Sequence, residues 1–323
     1  MKDIIVVGTS KAGYLHIESY NKINNKANIY YVDISEGVKN KNIKKQRVYK
    51  SIKEAMLENN IRNNNVIIDI CTPKEEFYNI IHQCIELDIN DIIVEKPFIA
   101  SKKFFEKNKK LNIIMTQNYL YSEITKDIIT FINERNLKIK TILTDFSKNR
   151  IADSLNKRGF MKEITQNFEI EIPHQIYLAN YILGYNGKIN IMYKEQKDFL
   201  VGNVTLKKHG YGKVIMMQDD VIVVHESDLM SENNRKEINI ICDNNICINA
   251  KYLLYDENLN MKQNGKLTVR NNNSIIMEKN YITDDNMYNC LSEYYNYFNN
   301  NTRKSEYIDR IIIFSKILKK ILN

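Results

Sequence analysis

At 323 residues, with 43% apolar and 27% charged side chains, the chain has the length and composition of a globular protein of two domains, not of a disordered or fibrous one. Its net charge of +8 is spread over lysines, with a modest cluster at Lys316, Lys319 and Lys320, and no nucleic-acid motif accompanies it, which argues against nucleic acid as a partner. Five cysteines without Cys-x-x-Cys spacing point to reduced thiols, and no apolar run reaches membrane length, so the expected setting is cytoplasmic, with no leader ahead of Met1 and no membrane partner.

The first third of the chain alternates strand and helix patterns. Strands are predicted at Asp3–Val7, Asn28–Val32, Val66–Cys71, Asp91–Val94 and Ile113–Gln117. Helices are predicted at Ala12–Asn24, Ser51–Asn60, Glu75–Leu87 and Lys102–Lys110. Buried apolar strands separated by amphipathic helices argue for βαβ units around a parallel sheet. After a helix at Glu123–Asn136 the pattern becomes strand-rich, from Lys140 to Lys279, with one predicted strand at Val201–Lys208 and one helix at His174–Leu183. Helices at Met287–Asn299 and Ser305–Leu322 close the chain. The expected fold class is α/β: a Rossmann dinucleotide-binding domain over 1–120, then an α+β domain with a large, mostly antiparallel open sheet over 121–323. The C-terminal helices are free to pack back on the first domain.

Gly8-Thr9-Ser10-Lys11-Ala12-Gly13 follows the first strand and opens the first helix, matching G-x-G-x-x-G with serine in the middle position. The first glycine allows the tight turn, the last allows close helix–strand packing, and the helix N-terminus offers N–H groups to a pyrophosphate. Asp33 ends the second strand, about 20 residues beyond Gly13, where a carboxylate binds the adenine ribose hydroxyls and repels a 2′-phosphate. NAD is therefore the expected cofactor, with NADP kept open by Lys39, Lys41 and Arg47 downstream. The chain has three prolines, and each stands beside a candidate site residue: Thr72-Pro73, Glu95-Lys96-Pro97 and Pro173-His174. The first two motifs end buried strands, at the carboxyl edge where α/β sheets bind ligands. His16, His82, His209 and His225 lack ligand spacing with one another, so no metal site is expected.

The glycine turn, Thr72-Pro73, Glu95-Lys96-Pro97 and the His174 helix occur in the order in which the Gfo/Idh/MocA oxidoreductases carry them, and the chain resembles that family over its whole length. The resemblance implies hydride transfer between NAD(P) and a hydroxyl or carbonyl carbon of a sugar, cyclitol or nucleotide sugar, and a place in surface-glycan biosynthesis. It implies that Lys96 touches the nicotinamide end of the cofactor and the reacting oxygen, that Glu95 orients or neutralises the site, and that His174 exchanges the proton. Asn118 matches a family asparagine near cofactor and substrate. Tyr119, Tyr121, Glu171, Tyr177 and Tyr181 are the expected substrate wall, with Tyr177 and Tyr181 on the His174 helix face.

The chain also departs from the pattern. Ile170 and Tyr177 stand where the family commonly has carboxylates around its histidine, Phe77 replaces a histidine after Thr72-Pro73, and Thr165-Gln166-Asn167-Phe168 replaces a glycine-rich stretch. Glu171 is then the carboxylate left to orient His174. These changes keep other readings alive: a glycosidase or lyase that retains its NAD, an imine reductase, and a redox-inactive regulatory protein. Arg150, Lys157 and Arg158 are candidate contacts for an anionic substrate group. The broad sheet predicts a homodimer or homotetramer.

Overall fold

The computed structural model of the chain describes residues 1–23, 27–34, 47–151, 166–185, 187–255, 261–300 and 305–323. The candidates Lys39, Lys41, Lys157, Arg158 and Thr165 lie outside the described residues. The chain divides into two compact units, residues 1–118 with 287–316, and residues 119–286 with 317–323.

The first unit is built on six strands: β1 (Asp3–Val7), β2 (Ile29–Val32), β3 (Val48–Tyr49), β4 (Val66–Ile70), β5 (Asp91–Val94) and β6 (Asn112–Met115). They pair in parallel in the order β3-β2-β1-β4-β5-β6. Ile5, Val6, Val66, Ile68, Ile92, Ile93 and Val94 are all fully buried, as continuous apolar runs in a sheet covered on both faces must be. The helices are α1 (Lys11–Lys22), α2 (Ile52–Glu58), α3 (Phe77–Glu86) and α4 (Lys102–Lys107). Strand order reverses between β1 and β4, and that switch point opens a crevice beyond the carboxyl ends of the strands. The C-terminal part of the same unit is tied to it by tyrosines of α7 (Asn286–Asn299): the Tyr294 hydroxyl donates to the Met115 carbonyl at 3.2 Å and that of Tyr297 to Asn112 Oδ1 at 2.9 Å.

The second unit begins with α5 (Glu123–Glu134) and β7 (Ile139–Ser147), then α6 (Ile172–Ile182). Its main sheet adds β8 (Ile189–Gln196), β11 (Tyr211–Gln218), β12 (Val221–Asp228), β13 (Arg235–Cys242), β14 (Ile246–Lys251), β17 (Gly265–Asn271) and β18 (Ser274–Tyr281). The order is β18-β17-β14-β13-β7-β12-β11-β8, and only the β7–β12 pair is parallel. Alternate residues of the inner strands turn to one buried face, such as Ile142, Thr144 and Phe146 on β7 and Ile238 and Ile240 on β13. Helix α6 packs on β7 and β12. The other face carries Leu143, Ile222 and Ile241, all exposed.

One predicted strand is corrected. Val201–Lys208 is not continuous: β9 (Phe199–Val201) and β10 (Val204–Leu206) pair antiparallel as a hairpin. Gly202, at φ +58°, takes the left-handed conformation that turns the chain there. A second small ribbon is formed by β15 (Leu254–Tyr255) and β16 (Met261–Gln263). The last helix, α8, spans Ser305–Leu322.

Candidate active site

In the first unit the β1–α1 turn is set by sterics. Gly8 has φ +92°, and a Cβ there would lie 3.0 Å from the Cys71 carbonyl group and from Thr72 Cγ2. A Cβ on Gly13 would fall 1.9 Å from the Gly8 carbonyl oxygen. The turn thus brings Thr72, at the end of β4, against Gly8, while Ser10 and Lys11 stay exposed, Ala12 is half-buried and Thr9 is buried. Asp33 follows β2 directly. Its Oδ2 accepts the Thr9 backbone N–H at 2.9 Å and the Thr9 hydroxyl at 2.7 Å. The carboxylate expected for the ribose therefore also pins the phosphate turn.

Lys96 follows β5 at the carboxyl edge of the same sheet, half-buried between Glu95 and the cis-bonded Pro97. Burial alone would raise the Glu95 pKa. Hydrogen bonding and charge from His16, and the charge of Lys96, outweigh it and hold the carboxyl below its ordinary range. Pro73 is exposed and precedes the short 3-10 turn Lys74–Glu76. Asn118, half-buried, opens the 3-10 turn that follows β6.

A dinucleotide fits this arrangement: the crevice at the strand-order switch, the α1 N-terminus reached through a left-handed glycine, and the carboxylate at the end of β2 are the three elements that such a ligand needs. Gly8 to Gly13 would hold the pyrophosphate, Asp33 the ribose, and Thr72, Glu95 and Lys96 line the same strand edge.

In the second unit, His174 lies in the first turn of α6, after Pro173, which pre-forms the helix start. Its Nδ1 is 2.7 Å from the Tyr177 hydroxyl, and the Tyr119 N–H reaches the same hydroxyl at 3.5 Å. The His174 ring meets the Tyr119 ring edge-on at 5.2 Å, and Phe146 and Tyr252 complete an aromatic cluster around Tyr119. Tyr177 is buried, Tyr181 is half-buried against the Tyr185 ring, and Tyr121 is half-buried. Glu171, expected to orient His174, pairs with Arg150 Nη2 at 2.7 Å, and the Tyr177 hydroxyl stands on His174 Nδ1.

Three charged residues escaped the sequence reading. Lys236 on β13 donates to the Tyr119 hydroxyl, and its ammonium lies 5.0 Å from the centre of that ring. Burial lowers its pKa, opposed by the Glu171 carboxylate. The signal was available: Lys236 has the parity of Ile238 and Ile240, so it faces the core side of its strand. His16 and Asp69 form the other group. His16 Nδ1 is 2.7 Å from Asp69 Oδ2, and Nε2 is 3.1 Å from Glu95 Oε1. Asp69 in the middle of Val66-Ile67-Ile68-Asp69-Ile70 was the sign, since a buried carboxylate demands partners.

The family model for the oxidoreductase family with an NAD-binding Rossmann fold matches residues 2–115. That model is the one of the Gfo/Idh/MocA family, and this stretch of the chain is similar to it. Residues 2–115 are thus similar to that family's NAD-binding Rossmann domain. No curated protein matches the sequence. Solved structures share the whole fold. A dehydrogenase (MviM) from Clostridium difficile superposes with a TM-score of 0.69 at 15% identity, covering 100% of this chain and 99% of its own. A UDP-N-acetylglucosamine 3-dehydrogenase from Acidithiobacillus ferrooxidans gives 0.71 at 10% identity, over 98% and 95%. A 3-ketoreductase from Actinomadura kijaniata, in complex with TDP-benzene and NADP, gives 0.75 at 7% identity, over 100% and 97%.

Proposed function

We propose that the chain is an oxidoreductase that moves a hydride between NAD(P) and a hydroxyl or carbonyl carbon of a sugar or nucleotide sugar, with Lys96 and His174 as its catalytic residues. The observation that carries the reading is Lys96 at the carboxyl end of β5, beside a Glu95 carboxylate kept ionised, in the sheet whose β1–α1 turn is shaped for a dinucleotide. The substrate class follows from structural neighbours whose names include a nucleotide-sugar dehydrogenase and a ketoreductase. NAD is favoured over NADP because Asp33 ends β2.

Held by the Gly8–Gly13 turn and Asp33, a nicotinamide dinucleotide would supply the group that accepts or gives the hydride. The Lys96 ammonium stabilises the negative charge that grows on the substrate oxygen, an interaction stronger in the transition state than in the ground state. His174 takes the hydroxyl proton during oxidation and returns it to the carbonyl oxygen during reduction. Tyr177 holds the imidazole through Nδ1, which leaves Nε2 for that exchange. Glu171, Arg150 and Lys236 form a buried charged group near Tyr119, suited to an anionic or hydroxyl-rich substrate. A role in surface-glycan synthesis and assembly into dimers or tetramers through the exposed sheet face, where Leu143, Ile222 and Ile241 lie, belong to the same proposal.

The test is a titration of NADH and NADPH into the purified protein, followed by a panel of UDP- and TDP-sugars monitored by nicotinamide absorbance. The expected result is tight NADH binding, turnover with a nucleotide sugar, and its loss in Lys96→Ala with binding retained. Dinucleotide binding without turnover on the panel would replace the reading with a regulatory one. Glycoside cleavage without net NADH change would replace it with a cofactor-retaining lyase or glycosidase.

A further inference from the structure

Asp69, His16 and Glu95 make a buried line that ends beside Lys96. His16 and Asp69 are fully buried, and Glu95 is 14% exposed. His16 comes from α1, one turn beyond Gly13, Asp69 from the centre of β4, and Glu95 from the end of β5. An ionised carboxylate only accepts hydrogen bonds, so an imidazole with one on each nitrogen must carry a proton on both. Asp69 is supplied with other donors as well: the Tyr20 hydroxyl at 2.8 Å on Oδ2 and the Cys71 thiol at 3.6 Å on Oδ1. An acceptor with these donors is an ionised one. The assignment of protons is then complete: Asp69 negative, His16 positive, Glu95 negative.

Helix α1 and the end of β4 bring together His16, Asp69 and Cys71, residue types that also bind metals. The distances favour hydrogen bonds. Two ligand atoms on one tetrahedral ion, each at about 2.0–2.1 Å, stand roughly 3.3 Å apart, whereas His16 Nδ1 and Asp69 Oδ2 are 2.7 Å apart.

We propose that His16 is a positioning residue, an imidazolium that clamps Glu95 against Asp69 and so fixes the charge beside Lys96. The proposal rests on the reading of Lys96 as the catalytic cation. Burial works against the imidazolium; the charge of Asp69 and its hydrogen bond outweigh it and hold the His16 pKa well above 6.5. The groups that face this line are few. Tyr20 on α1 has its phenol pKa pushed well up by burial and by Asp69, so it stays neutral. Cys71, directly after β4, is likewise pushed up by burial and Asp69. Cys290 on α7 is pushed up to about 12 by burial and adds no charge. Lys96 adds the remaining positive charge on the Glu95 side. Asp69 therefore acts on the catalytic end without touching it: without its charge the imidazolium is lost at lower pH, and Glu95 loses its donor and takes up a proton sooner.

The decisive measurement is the ring-nitrogen NMR of the full-length protein labelled in histidine, with the His16 signals assigned by their loss in His16→Gln. Both nitrogens protonated at neutral pH is the expected result. A neutral tautomer would overturn the proposal, and so would stoichiometric zinc in the purified protein, because an imidazolium cannot ligate it. This readout needs no substrate, so it stands apart from any failure to find turnover, which bears on the reading of Lys96. With a substrate in hand, His16→Gln and Asp69→Asn should each lower kcat about tenfold, the effect of one lost charged hydrogen bond. Each should also move the acid limb of its pH profile up by about one unit. The double variant should be no worse than the single ones, and NADH affinity should stay within about twofold, a binding difference of a few tenths of a kcal/mol. Unmoved pH profiles in both variants would sink the idea, and Asp69→Asn keeps the test alive if His16→Gln does not fold.

Discussion

The Tyr177 hydroxyl lies 2.7 Å from His174 Nδ1, in the place where a carboxylate would ordinarily orient such a histidine. A neutral phenol gives direction without charge. It can accept from Nδ1–H, which leaves Nε2 bare to take the hydroxyl proton in oxidation and protonated, in the imidazolium, to return it in reduction. Tyr177→Phe is expected to reduce carbonyl reduction about tenfold, one hydrogen bond's worth, with cofactor affinity unchanged. His174→Ala should cost about 10²–10⁴, the usual share of a general acid. Steady-state kinetics on both variants checks the pair: if Tyr177→Phe is silent while His174→Ala is not, Tyr177 does not orient the histidine.

Asp33 pins Thr9 through both of its donors and is, in the proposed function, the carboxylate for the ribose. Asp33→Ala removes the repulsion of a 2′-phosphate and frees the turn. NADH affinity should fall by about tenfold, one to two hydrogen bonds, and the ratio of NADH to NADPH affinity should shrink. Fluorescence titration of the two cofactors measures both. An unchanged ratio would move the selectivity elsewhere in the site.

What could be read from the sequence was what local pattern determines. The parallel sheet follows from apolar runs such as Ile92-Ile93-Val94, and the cofactor turn from Gly8 and Gly13, whose Cβ positions are filled by backbone. The missing pieces depend on contacts between distant segments. His16 meets a carboxylate 53 residues away and another 79 residues away, and no spacing encodes that. Lys236 reaches the hydroxyl of Tyr119 across a separation of 117 residues, though its strand parity pointed inward. Glu171 was near His174 in sequence, yet the helix start turns it to Arg150. The hairpin at Gly202 was hidden because its two arms are too short to alternate visibly.

Gly13→Ala tests the turn as geometry. The added carbon would overlap the Gly8 carbonyl oxygen, backbone that cannot step aside like a flexible side chain. The variant should lose about 3 kcal/mol, at the upper end for overpacking, seen as a lower urea midpoint with the slope unchanged. It should also bind NADH poorly, since relief of the clash moves α1 away from β1. Gly184→Ala is the contrast: a Cβ there meets nothing within 4 Å, and only its φ of +81° opposes the change.

Two buried histidines should drive stability in opposite directions with pH. His225 on β12 has Nδ1 2.7 Å from the Thr144 hydroxyl, whose own proton goes to Gln175 Oε1 at 2.6 Å. His225 must then donate from Nδ1, and burial pushes its pKa down to about 3 from 6.5. Below pH 6.5 the unfolded chain binds a proton that the folded one refuses, so stability falls as pH drops from 6.5 toward 3, by an amount on the order of a few kcal/mol. His16 has the reverse sign. Its pKa is raised in the folded protein, so its contribution is complete below 6.5 and is lost as pH climbs through the folded value. Urea unfolding across pH should show His225→Gln flattening the acid slope and His16→Gln flattening the alkaline one, each measured as a difference from the parent so that shared carboxylate titrations cancel. If His16→Gln left the alkaline slope unchanged, the imidazolium deduced from these hydrogen bonds would be wrong; an acid-limb change in that variant reports Glu95, whose pKa His16 holds down.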